Sequence, residues 1–400
     1  MDNPPRQRDP VEEMPEIEIT DLPASSAEQD RSMIWLERAL LAWQRSIARH
    51  RRRWRLASLF TLALLCLLVL GFVVENLIGL LAPRSAPASS IVIFPTSAPF
   101  NPYLYPHSNH PDATYKGHQG FVANIVWSPD GTRFASGGGY DDIVHVRNRI
   151  TGKDLIYRGH TNEVMGLAWS PDGQYIASAS RDMTVQIWNA TTGQRIRLYR
   201  ASKSVYSLAW SPDGIYIAFG DFTNLVHIWN IRTNREVRTL VGHEGVVLDI
   251  AWSPDGTRLA TASVDFTVRI WQFSSGKSLV TYEHHGDVVI SVAWSPDGRL
   301  VASGGDDTSV QVWNPNNGQL VRKYQNHDNA INGVAWSPDG RFIASASDDQ
   351  TVQIWRVDTG TPVFIYLIGA TCVAWSPDGK YLAVGDRAGL IAVWNISLKA

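Results

Sequence analysis

WSPDGQYIASASRDMTVQIW, from Trp169 to Trp188, reads as two short strands, YIASAS and TVQIW, behind a tight turn. Its first five letters start at Trp127, Trp169, Trp210, Trp252, Trp294, Trp336 and Trp375, at intervals of 42, 41, 42, 42, 42 and 39 residues. A period in this range marks a propeller or solenoid rather than independent domains. Within the pentapeptide, Pro fixes φ at the first corner, Asp can bond its own backbone, and Gly supplies the left-handed position that follows. Trp ends the inner strand as a large apolar plug between neighbouring sheets. A turn repeated seven times is scaffold, so no catalytic role is expected for Asp130, Asp172, Asp213, Asp255, Asp297, Asp339 or Asp378.

A second set of residues sits at fixed offsets: His160, Ser178, Asp182 and Trp188; His243, Thr261, Asp265 and Trp271; His285, Ser303, Asp307 and Trp313; His327, Ser345, Asp349 and Trp355. The internal spacing is eighteen, four and six in all four sets. With these residues the chain resembles the WD-repeat β-propellers, in which such a set forms a hydrogen-bonded structural tetrad. The resemblance implies an all-β, seven-bladed propeller. Chemically, an indole N–H can donate to the hydroxyl, the hydroxyl to imidazole, and imidazole to a buried carboxylate, each bond contributing about 1 kcal/mol net. Three repeats depart from the pattern. The first has His118, Ser136 and Asp141 but Arg147 in place of Trp; the third has Ala201 and Thr223 at the His and Asp positions; the seventh is shortened and has Ala388 at the Asp position. These three blades are expected to be held by packing and strand ladders alone. Six residues follow Trp394, so the last repeat lacks an outer strand, while DATYKGH from Asp112 precedes the first. That N-terminal strand is expected to complete the last blade and remove open edges.

Residues 111–400 are therefore assigned to the propeller, and residues 1–110 read differently. Residues 1–30 carry nine acids against two arginines, and residues 1–31 are expected to be a disordered acidic tail. Residues 32–55 place Leu36, Leu40, Trp43 and Ile47 at helical spacing, a basic amphipathic juxtamembrane helix. Residues 56–82 are expected to form a single transmembrane helix: nineteen residues from Leu56 to Val74 carry no charge. As a helix they span about 28 Å, close to the hydrocarbon core of a bilayer. Residues 83–110 are a Pro/Ser/Ala-rich linker. Arg38, Arg45, Arg49, Arg51, Arg52, Arg53 and Arg55 precede the apolar run and only Arg84 follows closely, which orients the N-terminus to the cytoplasm and the propeller outside it. Plasma-membrane anchoring through residues 56–82 and the basic residues 45–55 is thus expected; the alternative is secretion after cleavage near residue 88, where SAPA offers small residues. Together these features resemble bacterial members of the family.

Residues 101–400 carry 25 bases against 27 acids, which lacks the clustered positive charge that nucleic-acid binding requires. The two cysteines, Cys66 and Cys372, offer no disulfide framework or zinc motif. His, Ser and Asp recurring together evoke a hydrolytic triad, yet four copies at one spacing suit a structural element better. SSGKS at Ser274–Ser278 lacks the earlier glycine of a phosphate loop, and the adjacent acids Asp141–Asp142, Asp306–Asp307 and Asp348–Asp349 leave cation binding open. No cofactor and no catalytic residue is assigned, and a non-enzymatic protein-interaction scaffold is expected. Its alternatives are a sensor or signalling receptor with the tail as cytoplasmic effector, and an accessory propeller of the TolB-like or hydrolase-associated kind. The resemblance implies a protein or peptide ligand on the narrow face, at Phe121, Tyr140, Glu163, Met165, Arg181, Tyr206, Phe222, Leu248, Asp306, Asp348 and Arg387. Val246, Val264, Val288, Ile290 and Asn332 hold matching positions.

Overall fold

The computed structural model describes residues 110–396. The expected tail, amphipathic helix and transmembrane helix, and the linker up to residue 109, lie outside the described residues. Among the described residues no helix is long and apolar enough to cross a membrane. They form 28 strands in seven four-stranded antiparallel sheets, so the all-β, seven-bladed expectation holds. Inner strands Val122–Trp127, Val164–Trp169, Val205–Trp210, Val247–Trp252, Val289–Trp294, Ile331–Trp336 and Ala370–Trp375 neighbour one another around the ring, the last beside the first. The seventh sheet takes its outer strand from the other end of this region: Ala113–Lys116 pairs antiparallel with Leu390–Asn395, Ala113 opposite Val393 and Lys116 opposite Leu390.

Each blade has an apolar face toward its neighbour, so the core is a set of wedges between sheets. In one wedge Ala177, Ala179, Val185 and Ile187 of blade 2 meet Val205, Leu208, Trp210 and Phe219 of blade 3. Small residues on the second strand let the larger inner-strand side chains of the next blade approach, and each buried Val, Leu or Ile contributes roughly 1.5–3 kcal/mol.

The repeated pentapeptide does what its residues allow. Gly131 has φ 67° and its six equivalents lie between 67° and 72°. Asp130 Oδ1 accepts the Ser128 hydroxyl at 2.5 Å and the Thr132 N–H at 3.0 Å, while Ser128 Oγ accepts the Arg133 N–H at 3.0 Å. The Trp is more than the apolar plug expected. Trp127, Trp169, Trp252, Trp294 and Trp336 each donate the indole N–H to a backbone carbonyl of the preceding blade, at 3.1–3.2 Å. Among the described residues Trp210 and Trp375 have no acceptor for the buried N–H, and they are the two that follow the shortened intervals of 41 and 39 residues.

At the opposite end of the ring every inner strand carries a β-bulge, between Val122 and Asn124 in blade 1 and at the equivalent place in the other six. A bulge adds a residue to one strand and re-aims its side chain. The bulged residues are Ala123, Met165, Tyr206, Leu248, Ile290, Asn332 and Thr371, no two alike.

Candidate functional site

Three of the four residue sets close as full networks. His160 bonds Ser178 Oγ through Nε2 at 2.7 Å and Asp182 Oδ2 through Nδ1 at 2.8 Å, and Trp188 donates its indole N–H to Ser178 Oγ at 3.1 Å. The distances for His243, Thr261, Asp265 and Trp271 are 2.6, 2.8 and 2.8 Å, and for His285, Ser303, Asp307 and Trp313 they are 2.7, 3.0 and 3.1 Å. In blade 6 His327 bonds Ser345 at 2.8 Å and Asp349 at 2.7 Å, but the Trp355 indole N–H has no acceptor among the described residues, which corrects the expectation of a fourth complete set. The four hydroxyl-bearing residues are 0% exposed, beyond the reach of any substrate. Each Asp also caps its turn: Asp182 Oδ1 accepts the Thr184 N–H at 2.9 Å and hydroxyl at 2.6 Å. Burial pushes the Asp265 carboxyl up, but the hydrogen bond and charge of His243, with Thr267 and the Glu244 N–H, outweigh it and hold the group at about 2. Its contribution to stability is therefore present above the ordinary carboxyl range and lost as pH falls toward 2.

An extension of this network was not anticipated. In blades 2, 5 and 6 a tyrosine from the preceding blade stacks on the tetrad Trp: Tyr157 on Trp188, Tyr282 on Trp313 and Tyr324 on Trp355, with centroids 4.2–4.5 Å apart. Each hydroxyl donates to Gln186, Gln311 or Gln353 at 2.7 Å. A signal existed in the repeats. Tyr three residues before His and Gln two before Trp occur together in these blades, whereas blade 4 has Leu240 and Arg269.

The three departing blades are not held by packing and ladders alone, which corrects that expectation. In blade 1 His118 keeps its bonds to Ser136 at 2.8 Å and Asp141 at 3.0 Å. Arg147 donates to Asp154 at 3.2 Å and to the Lys116 carbonyl at 2.8 Å. Blades 3 and 7 place a carboxylate two residues before the position where one was sought. Asp221 accepts the N–H and hydroxyl of Thr223, and Asp386 accepts the N–H groups of Ala388 at 2.8 Å and Leu390 at 2.7 Å. In blades 2, 4 and 6 that position is Ser180, Ser263 or Ser347, whose hydroxyl donates to a carbonyl of the loop carrying the His. Where the His is missing, Asp replaces the Ser and secures the turn alone.

The residues expected to face a partner divide into two groups. Tyr140 is 54% exposed and Arg387 is exposed; Phe121, Met165, Phe222, Leu248, Asp306 and Asp348 are part-buried, as are Ile290 and Asn332. Phe121 and Tyr140 pack edge to face, with centroids 5.4 Å apart. Glu163, Arg181 and Tyr206 are instead buried together: Arg181 donates to Glu163 Oε2 at 2.7 Å and to the Tyr206 hydroxyl at 3.1 Å. Val246, Val264 and Val288 are at most 1% exposed. These six are buried and present almost no surface to a partner, and Arg181 joins blade 2 to blade 3 through Tyr206. Sequence offsets missed Met183, Val241 and Leu367, which are 43%, 73% and 66% exposed at this end of the ring.

The family described as the IFT122 first beta-propeller matches residues 246–400, and the family described as the WDR19 first beta-propeller matches residues 123–287. The chain carries a WD-type β-propeller. No curated protein matches it. The two ends of this WD-type propeller differ in chemistry. At the pentapeptide end the turns repeat; at the other, the loops of blades 4–7 bring Glu244, Glu283, Asp287, Asp306, Asp328, Asp348 and Asp386 against one base, Arg387. Inside the ring Asp249 accepts the N–H of Val292 at 2.9 Å and the Ser291 hydroxyl at 3.0 Å from the next blade, and burial pushes its carboxyl up to about 6. Among the described residues no group of three or more His, Cys, Asp or Glu is placed to hold a metal ion.

Proposed function

We propose that this chain is a membrane-anchored, non-enzymatic scaffold that displays its propeller outside the cytoplasm and binds a protein or peptide on the end of the ring carrying the bulges. The observation that carries the reading is the contrast between the two ends. Identical turns build a symmetric rim, whereas the bulged end presents six different part-buried inner-strand side chains, Ala123, Met165, Leu248, Ile290, Asn332 and Thr371, beside the exposed Tyr140, Met183, Val241 and Leu367. Apolar side chains gathered in one exposed region and flanked by polar groups are the usual mark of a protein-binding surface. Anchoring is supported by the uncharged run Leu56–Val74 and the arginines before it.

Cross-linking capture from intact membranes tests the surface. Tyr140→Ala with Met165→Ala is expected to reduce partner recovery at least tenfold with the melting temperature retained; capture equal to wild type removes this face from consideration. Protease added to whole cells is expected to digest the propeller, and digestion only after lysis overturns the extracytoplasmic placement.

A further inference from the structure

The propeller is interrupted where its repeat is shortest. Between the outer strand Pro362–Leu367 and the inner strand Ala370–Trp375 only Ile368 and Gly369 intervene, whereas residues 325–330 fill the same connection one blade earlier. The missing residues correspond to His327, Asp328 and Asn329, the part of the loop that closes the neighbouring turn in blade 6. Their loss leaves a cavity of about 480 Å³ between blades 6 and 7, lined by Asn329, Asp348, Gln350, Gly369, Asp386 and Arg387. The opening is real space: a Cβ built on Gly369 meets no atom within 4 Å.

The lining has a definite chemistry. Asp386 uses Oδ1 to accept two backbone N–H groups, and no bond among the described residues engages its Oδ2. Asp348 Oδ1 accepts the Asn332 amide at 2.6 Å and a guanidinium N–H of Arg387 at 2.5 Å. The Arg387 side chain is 65% exposed, so this guanidinium lies over the notch rather than being locked in it. The protein thus already holds one planar cation on a notch carboxylate, while a second carboxylate stands beside it with an oxygen to spare. Carboxylates that pair with guanidinium do so through directional, charge-assisted bonds.

We propose that the notch between blades 6 and 7 receives the side chain of an arginine from a protein partner, with Asp386 Oδ2 as its acceptor and Arg387 swung outward. This rests on the reading that the bulged end binds protein, and it names the chemistry recognised there. The surrounding acids of blades 4–7 would draw a basic segment toward the notch, so binding weakens as salt rises.

The test uses the full chain in detergent and the peptides acetyl-Gly-Gly-Arg-Gly-Gly-amide and its citrulline counterpart, with saturation-transfer NMR reading contact at the side-chain methylenes. The arginine peptide is expected to bind at least fivefold more tightly than the citrulline peptide. Asp386→Asn, which keeps the turn-capping oxygen, and Gly369→Phe, which fills the space, are each expected to weaken it at least fivefold at an unchanged melting temperature. Equal binding of citrulline, or arginine binding that survives both substitutions, overturns the proposal. Methylguanidinium binding as tightly as the peptide also overturns it, since the notch would then be a small-cation site. Partner capture lost with Tyr140→Ala and Met165→Ala but untouched by Asp386→Asn leaves the wider scaffold standing and removes the notch. Selective arginine binding without any captured partner supports the notch and sinks the scaffold.

Discussion

His227 occupies the position that is glutamine in blades 2, 5 and 6, and it lies between two carboxylates. Its ring stacks on Phe219, with Nε2 3.4 Å from Asp221 Oδ2 and Nδ1 3.0 Å from Glu236 Oε1; Tyr199 donates to the other Glu236 oxygen at 2.7 Å. Burial alone would lower its pKa, but the nearby Asp221 carboxylate and the hydrogen bond and charge of Glu236 outweigh burial and raise it. A raised histidine contributes stability that is full below its unfolded value, about 6.5, and is lost as pH rises through its folded value. His227→Gln is therefore expected to cost more stability at pH 5.5 than at pH 9, read by urea denaturation at both. A wild-type-to-variant difference that stays constant across that range removes His227 as the source.

At the scale of the element, the connection between blades is a hydrogen bond set by repeat length. Trp294 reaches the Ala251 carbonyl at 3.1 Å across a 42-residue interval, while Trp210, after 41 residues, reaches none among the described residues. Replacing either with Phe keeps much of the buried ring, but only the first loses a bond. Trp294→Phe is expected to cost about 1 kcal/mol more than Trp210→Phe in equilibrium unfolding, and equal costs would mean that the indole contributes through packing alone. The period and the offsets made the blades and the His–Ser–Asp sets legible, because spacing within one sheet is fixed by strand and turn lengths. Contacts between sheets are not encoded in such spacing. Glu163, Arg181 and Tyr206 had offsets that suggested an exposed face, yet they are buried, with Arg181 bonded to Glu163 in its own blade and to Tyr206 in the next. Asp221 and Asp386 lie two residues before the tetrad Asp position, which matters only when a His is present to bond it, so the tetrad spacing does not point to them.

For the whole molecule, stability depends on how the ring is closed. Ala113–Lys116 belongs to blade 7 by its ladder and also contacts blade 1: Tyr115 packs on Phe134, with centroids 5.1 Å apart, and the Lys116 backbone carbonyl accepts from Arg147. The seam is further joined by the Thr371 hydroxyl to the Val122 carbonyl at 2.6 Å, and by the Trp127 indole to the Ala374 carbonyl at 3.1 Å. One short strand thus links residues separated by nearly the whole propeller, and its loss would expose the edge of Leu390–Asn395 together with one face of Phe134. A few kcal/mol of ladder and packing in a domain of this size corresponds to a shift of about 5 °C. Removal of residues 101–117 is expected to lower the melting temperature by about that amount and to add self-association by light scattering, because an uncovered strand edge pairs with other chains. A melt that stays in place would place the closing strength in the two side-chain bonds between blades 7 and 1, rather than in the strand that completes the sheet.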